Sequence, residues 1–302
     1  MRDRSHVLWL AVASAMFLVV LPIAGQQSAS RPVPAAKFNP HDLSGKWLRT
    51  TPFQTYSNVK GGANEFQDEL VRTGKADLSR DTGLSYVEVP FTPAGKAAFD
   101  RNIPSYGLRI TAPKDGNDPQ GNCDPWGVPR MLNGQVAGPH SGWSALQTAD
   151  KFIQFSGWHH LYREVWTDGR ALPSIDDVEP TWNGYSVGRW DGDTFVVESV
   201  GFDPRTWLDH NGYPHSDQMR LTERYRLRDA DTLELRMTIV DPEFYSEPFP
   251  SDVKVFRRDR EHEKDWDEQI FCVPSEEFRF NRLIRDGGVG LEPADTERTP
   301  RP

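Results

Sequence analysis

Residues 221–240 alternate between apolar and polar side chains, and this alternation constrains the fold more than any other feature of the sequence. Successive side chains on a β-strand point to opposite faces, so a period of two indicates a strand with one buried face. The segment LTERYRLRDADTLELRMTIVD contains two such runs, separated by a polar turn at residues 229–232. It therefore predicts an antiparallel hairpin.

Two further turn signals, Asp168-Gly169 and Asp191-Gly192, lie between segments rich in Val, Thr, Tyr, Phe and Trp. Asp-Gly supplies the positive φ that tight hairpin turns need, and the flanking residue types favour strands. Further strands are predicted at residues 152–156, 253–257 and 266–273. Consecutive hairpins form an antiparallel meander. We therefore expect a mainly β fold in which this meander closes into an enlarged barrel or a sandwich.

Helix signals are sparse, so one or two short helices are expected. The segment FTPAGKAAFDRN offers Thr92 as an N-cap, Pro93 in the first turn and good helix formers after it. The segment NEFQDELVRTG, which ends at Gly74, predicts a second short helix. Residues 114–139 carry Gly and Pro at high density and are predicted to form a long loop.

The first 25 residues have the layout of a secretory signal peptide. Arg2 and Arg4 precede an uncharged apolar run that ends in small residues at 24 and 25. The alternative is an uncleaved anchor, although the run is marginal for a membrane span. We expect a linker at 26–41, one β-barrel-like domain at 42–285 and a disordered tail at 286–302. The mature chain is expected to be periplasmic or secreted, with no membrane span after cleavage.

The chain has two cysteines, Cys123 and Cys272. Exported proteins meet an oxidising compartment, where two cysteines often pair. A disulfide between them would close a loop of about 150 residues, which the chain-entropy relation values at roughly 5 kcal/mol. Two separate buried thiols are the alternative.

Composition and missing motifs exclude several function classes. The net charge of −9 argues against a nucleic-acid partner. The sequence has no Gly-x-Ser-x-Gly nucleophile elbow, no Gly-rich phosphate loop, no dinucleotide fingerprint and no His-Glu-x-x-His. We therefore expect no cofactor.

Three charged residues, Arg163, Glu198 and Glu223, fall on strand faces that the alternation otherwise fills with apolar residues. A lone buried charge is costly, so each needs a partner, and Arg163 and Glu223 can satisfy each other. The pair is either a structural ion pair or a polar anchor in a ligand cavity. In the second case Glu223 is an acid or base and Tyr225 a hydroxyl donor.

The stretch TWLDHNGYPHSDQMRLTERY brings Asp209, His210, His215 and Asp217 within nine positions. Imidazole and carboxylate groups are ligands for Zn²⁺. An Asp two residues from a His can also orient the ring for proton transfer, which favours His215 with Asp217. A solvated loop in which the aspartates make side-chain turns is the third interpretation, and no resident metal is expected.

The segment DLSGKW resembles the Gly-x-Trp signature of the lipocalins through Gly45 and Trp47. In lipocalins this Trp packs across the closed end of an eight-stranded barrel. The lipocalin Thr-Asp-Tyr motif is absent, and the chain is longer than a single lipocalin. The resemblance therefore implies an enlarged, lipocalin-like (calycin-type) barrel. The segments WTDGR, GYSVGRWDGDT and HSD are similar to uncharacterised secreted bacterial proteins, which implies no activity.

We therefore predict an exported protein that binds a small, largely apolar or aromatic molecule in a β-barrel cavity. Arg163, Glu198 and Glu223 are the expected polar contacts, and Trp158 and Trp166 are the expected aromatic contacts.

The alternative is an enzyme on the same scaffold, with hydratase, isomerase or cyclase chemistry on a hydrophobic substrate. It would need only proton transfer, from His215 with Asp217 or from Glu223 with Tyr225. A third interpretation is an envelope protein with a filled core and no pocket.

Overall fold

The structure is a computed structural model that describes residues 38–50, 56–57, 88–104, 116–133, 142–156, 162–263 and 273. The chain divides into two units, Met1–Lys37 and Phe38–Pro302, and the first lies wholly outside the described residues. The predicted signal peptide, the helix at 64–74, nearly all of the strand at 266–273 and the tail at 286–302 lie outside them too.

Within these ranges the fold is mainly β, with one α-helix and three short 3₁₀ helices. The strands are β1 (Gly45–Arg49), β2 (Trp143–Gln147), β3 (Lys151–Phe155), β4 (Tyr162–Trp166), β5 (Tyr185–Asp191), β6 (Thr194–Val200), β7 (Arg220–Asp229), β8 (Thr232–Val240), β9 (Phe249–Pro250) and β10 (Lys254–Arg258). The α-helix is α1 (Pro93–Arg101), and the 3₁₀ helices are Pro119–Asn122, Arg130–Asn133 and Ile175–Asp177.

Nine of these strands close into a barrel. Strands β1 to β8 pair in chain order, and β10 pairs with both β8 and β1. The short β9 pairs with the C-terminal part of β8. All pairings are antiparallel except that of β4 with β5, which is parallel. The predicted mainly β barrel is confirmed, and closure explains the architecture, since it leaves no long unpaired edge in the ring.

The hairpin of β7 and β8 forms as the alternation predicts. Asp229 pairs with Thr232 across the turn. The four residues on the inner face of β7 are buried, whereas the arginines on its outer face are exposed. The predicted turn between β5 and β6 also forms, at Gly192 with a φ of 57°.

The prediction of a hairpin at Asp168-Gly169 is wrong. The turn itself forms, with a φ of 86° at Gly169, but no strand returns along β4. The chain instead passes through the third 3₁₀ helix and reaches β5 in a parallel orientation. Pro173 and Pro180 lie in this connection and lack the N–H that a strand ladder needs.

Helix α1 forms where its capping signals predict. The Thr92 hydroxyl accepts a hydrogen bond from the Gly95 amide at 3.0 Å, and Pro93 occupies the first turn. Gly95 is required by packing, since a Cβ there would lie 2.0 Å from the Phe244 carbonyl oxygen. The described part of the predicted loop at 114–139 contains two 3₁₀ helices. No described helix is long and apolar enough to cross a membrane.

Aromatic side chains fill the part of the barrel next to β1. Trp47 is fully buried, and its indole N–H donates to the Leu43 carbonyl at 2.9 Å. The Arg258 guanidinium lies 5.7 Å from the Trp47 ring centroid. Trp143 packs edge-on against Tyr225 and Phe256. The structure thus has a closed barrel, of nine strands in place of the eight of a lipocalin.

Candidate functional site

The predicted pairing of Arg163 with Glu223 is confirmed. Both side chains point into the barrel, where Arg163 is 1% and Glu223 0% exposed. The guanidinium binds the carboxylate through two hydrogen bonds, of 2.6 and 2.8 Å. Such two-pronged pairs are strong and fix geometry as well as charge.

Neighbouring polar side chains complete a closed network around this pair. The Tyr225 hydroxyl donates to Glu223 at 2.6 Å and accepts from the Gln154 amide at 3.0 Å. Arg163 also donates to the hydroxyls of Ser186 and Ser199. The protein itself therefore contacts every nitrogen of the guanidinium and both oxygens of the carboxylate.

Burial and the charge of Glu223 act in opposite directions on the pKa of Arg163. Burial alone would lower the pKa of Arg163, but the charge and hydrogen bonds of Glu223 raise it above its usual value. The same burial raises the pKa of Tyr225 well above 10.0, which keeps its hydroxyl protonated as a donor. These contacts describe a structural ion pair. A role for Glu223, Tyr225 and Arg163 in ligand binding or catalysis stays a prediction.

The prediction that Glu198 faces the barrel interior is wrong. Its carboxylate pairs with Arg189 on the outer surface and is 39% exposed. Trp166 also lies on the outer face of β4, where the cations of Lys151 and Arg170 stand 4.1 and 3.6 Å from its ring centroid. Trp158 lies outside the described residues.

The catalytic pairing predicted for His215 and Asp217 is not formed. Asp217 is exposed, whereas His215 is buried. The His215 Nδ1 donates to the Ser216 carbonyl at 2.9 Å, and Nε2 lies 2.6 Å from the Thr206 hydroxyl. Burial lowers the pKa of His215, so the ring is held neutral between these two partners.

The Asp209 carboxylate is bonded to backbone amides. Asp209 accepts hydrogen bonds from the Tyr56 and Asn211 amides, so the predicted side-chain turn is present. Among the residues that the structure describes, no three His, Cys, Asp or Glu side chains gather as a metal site. Residues 206–216, which we call the plug segment, are almost entirely buried rather than solvated.

Contacts from distant parts of the chain explain why the plug segment is buried. The Asn133 side-chain amide donates to the Leu208 carbonyl at 2.9 Å, and the Asn102 amide donates to the Gly212 carbonyl at 2.8 Å. The Tyr245 hydroxyl donates to the Pro214 carbonyl at 2.7 Å. None of these contacts can be predicted from the sequence around the plug segment.

A second group of buried charges, which the sequence interpretation missed, lies at the barrel end near Tyr56 and Asp209. Arg49 of β1 and Lys254 of β10 are 9% and 0% exposed. The two cations share the carboxylate of Asp252, which lies 3.9 Å from the Arg49 guanidinium and bonds directly to the Lys254 ammonium. We call Arg49, Lys254 and Asp252 the cationic barrel end.

Apolar residues stand directly opposite the two cations. Phe256 pairs with Arg49 across strands β1 and β10, and Leu235 pairs with Lys254 across strands β8 and β10. Burial lowers the pKa of Lys254 to about 8 and that of Arg49 to about 10, although Asp252 acts against both shifts. The surroundings as a whole therefore disfavour the charges of these cations.

The plug segment adds further titratable groups to this end. The Asp209 carboxylate accepts from the Tyr56 amide at 2.7 Å, and burial raises the pKa of Asp209. Burial, together with the charges of Arg130 and Arg49, lowers the pKa of His210 to about 3. His210 is therefore a neutral imidazole between cations.

The guanidinium of Arg130, next to His210, is surrounded by a carboxylate and two aromatic rings. It makes two hydrogen bonds of 2.8 Å to Asp118. It lies 5.6 Å from the Trp126 ring centroid and 5.9 Å from that of Trp207. The aromatic rings and the carboxylate hold this cation in one position.

The alternation rule that located Glu223 could also have located part of this site. Arg49 shares a strand face with Trp47, and Lys254 shares one with Phe256. In each case a charged residue stands two positions from a buried aromatic residue on the same strand face. Asp252 lies outside the strands, and Arg130 begins a 3₁₀ helix of four residues, so neither has a periodic signal in the sequence.

Comparisons with known protein families, with curated proteins and with solved structures give no match for this chain.

Proposed function

We propose that this chain is an exported binding protein for a small, largely apolar molecule that carries an acidic group. The acidic group would bind the cationic barrel end. The apolar body would pack against the aromatic and aliphatic side chains beside it, such as Phe256 and Leu235.

The observation that carries this proposal is the contrast between buried cations. Arg163 faces a carboxylate that raises its pKa, whereas Arg49 and Lys254 have pKa values that burial lowers. An anion entering beside Arg49 and Lys254 would gain charge-assisted hydrogen bonds in a setting of low dielectric constant. Arg163 is bound within the chain by Glu223, Gln154, Ser186 and Ser199.

Equilibrium binding of dodecanoate and of dodecanol, measured by native mass spectrometry and calorimetry, tests the proposal. We expect dodecanoate to bind more tightly than dodecanol. Lys254→Met should weaken dodecanoate binding by about 10- to 100-fold, the value of a charged hydrogen bond. Arg236→Met is the matched control, because Arg236 is an exposed cation on the outer face of β8. Equal affinities for acid and alcohol would contradict the proposal.

Export and the disulfide belong to the same proposal and have separate tests. Cleavage after Gly25 should appear on N-terminal sequencing of protein recovered from the exporting compartment. Cys272 lies outside the described residues, so the bridge to Cys123 stays a prediction. Intact mass before and after thiol alkylation without reductant checks it, and two alkylated cysteines would show that they are not paired.

An enzyme of the proton-transfer type is the second candidate, and two pKa shifts favour it. Burial raises the pKa of Asp209 and lowers that of Lys254, so both groups are pushed towards their neutral forms. Incubation of the protein with dodecanoate in D₂O, followed by mass spectrometry, separates the two candidates. Catalysis would introduce deuterium at carbon, and Asp209→Asn would abolish it. A ligand that gains no deuterium would contradict catalysis and leave binding as the only candidate function.

A further inference from the structure

The 3₁₀ helix Arg130–Asn133 carries two buried polar atoms for which the described part of the chain holds no hydrogen-bond partner. They are Nε of Arg130, a donor, and Oδ1 of Asn133, an acceptor. The two residues are 2% and 0% exposed. Side chains three positions apart on a 3₁₀ helix lie on the same side. Buried polar groups almost always have a partner, so this pair of atoms requires an explanation.

The other side-chain polar atoms of Arg130 and Asn133 already make hydrogen bonds, which fixes the orientation of the Nε and Oδ1 atoms. The Asn133 amide nitrogen donates to the Leu208 carbonyl at 2.9 Å, so the amide cannot turn to offer its nitrogen instead of Oδ1. The terminal nitrogens of Arg130 bind Asp118 and Gln120, which leaves Nε as the unused donor.

Both side chains face the same stretch of the plug segment. The Arg130 guanidinium lies 5.9 Å from the Trp207 ring centroid, and Asn133 bonds to Leu208, the next residue. This place adjoins the cationic barrel end, because Arg49 donates a hydrogen bond to the Asn133 backbone carbonyl. A ligand whose acidic group meets Arg49 would therefore lie next to Asn133.

We propose that Nε of Arg130 and Oδ1 of Asn133 form a hydroxyl subsite, and that the ligand of the barrel end is a hydroxy acid. A hydroxyl group accepts one hydrogen bond and donates another, so a single oxygen satisfies both protein atoms. A ketone or ether oxygen only accepts, and would leave the Asn133 oxygen facing a lone pair. This inference rests on the proposed function, since it needs the acid to bind at Arg49 and Lys254.

A competition among three ligand pools tests the subsite. The wild-type protein is equilibrated with equal amounts of dodecanoic acid, a mixture of positional isomers of hydroxydodecanoic acid, and the corresponding oxododecanoic acids. The bound fraction is then quantified by mass. We expect the hydroxy acids to be enriched by about tenfold over both other pools, which corresponds to one hydrogen-bonded group. In Asn133→Ala the enrichment should fall to about one, while dodecanoate still binds.

The outcomes separate this inference from the proposed function. Equal capture of all three pools by the wild-type protein would show that the subsite holds water only, and would overturn the hydroxyl subsite while leaving acid binding intact. Capture of no acid at all would overturn both. If Asn133→Ala does not fold, the wild-type preference for hydroxy acid over oxo acid decides the question by itself.

Discussion

Arg163 and Lys254 are both buried in the same barrel, yet their pKa values shift in opposite directions. Glu223 raises the pKa of Arg163 through its charge and hydrogen bonds. Burial lowers the pKa of Lys254 to about 8 despite Asp252. A buried cation is stable when its own chain supplies a matched carboxylate and acceptors for its remaining donors. The first site meets this condition, and at the second the Asp252 carboxylate lies close to both cations.

This difference is the basis for assigning a structural role to the first site and for proposing a binding role for the second. The Arg163 network joins strands β3, β4, β5, β6 and β7 through polar side chains that serve each other. At the cationic barrel end burial lowers the pKa values of both cations, and an anion bound there would raise them. Burial alone would not have distinguished the two sites.

The largest expected effect comes from breaking the matched pair. Glu223→Ala should lower the free energy of unfolding by about 3–5 kcal/mol, because it leaves the Arg163 charge buried without its carboxylate. Glu234→Ala is the control, since Glu234 lies on the outer face of β8 and pairs with Arg228 at 3.4 Å; a loss below about 1 kcal/mol is expected there. Denaturant titration measures both. Unchanged stability in Glu223→Ala, together with lost ligand binding, would make this network the ligand site.

The second effect is a pH dependence specific to Lys254. The unfolded side chain keeps its proton up to about pH 10.5, and the folded one only up to about pH 8. The unfolded state therefore binds more protons between these values, so stability rises with pH across this window. Relative to Lys254→Met, ligand-free protein should gain about 2 kcal/mol between pH 8 and pH 10. Parallel pH curves for the two proteins would contradict the shift.

A smaller effect distinguishes His215 from Asp217. His215→Ala removes two buried contacts, to Thr206 and Ser216, and should cost about 1–2 kcal/mol in unfolding free energy. Asp217→Asn changes an exposed side chain and should stay within about 0.5 kcal/mol of the wild type. Thermal and denaturant unfolding of the two variants provide the measurement. Equal losses would indicate that the two residues act as a pair.

The smallest effect is expected for the predicted contacts that lie on the outer wall. Glu198→Gln and Trp166→Ala should leave dodecanoate affinity within about twofold of the wild type, because neither side chain faces the interior. Calorimetric titration measures this. A clear loss of affinity in either variant would place a ligand on the outer face of the barrel.

Local periodicity made the β7–β8 hairpin and the buried position of Glu223 predictable, since one face of β7 is apolar and the other is charged. The same rule failed for Glu198 because both faces of β6 are covered. Val196 and Val200 on its outer side are as buried as Val197 on its inner side. Alternation therefore could not distinguish the inward-facing from the outward-facing side chains of β6.

Features that depend on distant contacts were not predictable from the sequence. The parallel pairing of β4 with β5 depends on where the chain returns after a long connection, whereas the turn at Asp168 depends only on local residues. The cationic barrel end joins Arg49 to Lys254 from opposite ends of the folded chain. The plug segment is buried because Asn102, Asn133 and Tyr245 bind its carbonyls.

The most direct test of the contrast between the two sites is a titration of the Lys254 ammonium by NMR, with ¹³Cε-labelled lysine and Lys254→Met to assign the signal. In the ligand-free protein the pKa should lie near 8. With dodecanoate bound, the added negative charge should raise it by about two units or more, towards the ordinary lysine value. A Lys254 pKa that dodecanoate leaves unchanged would contradict the assignment of the cationic barrel end as the binding site for an acid.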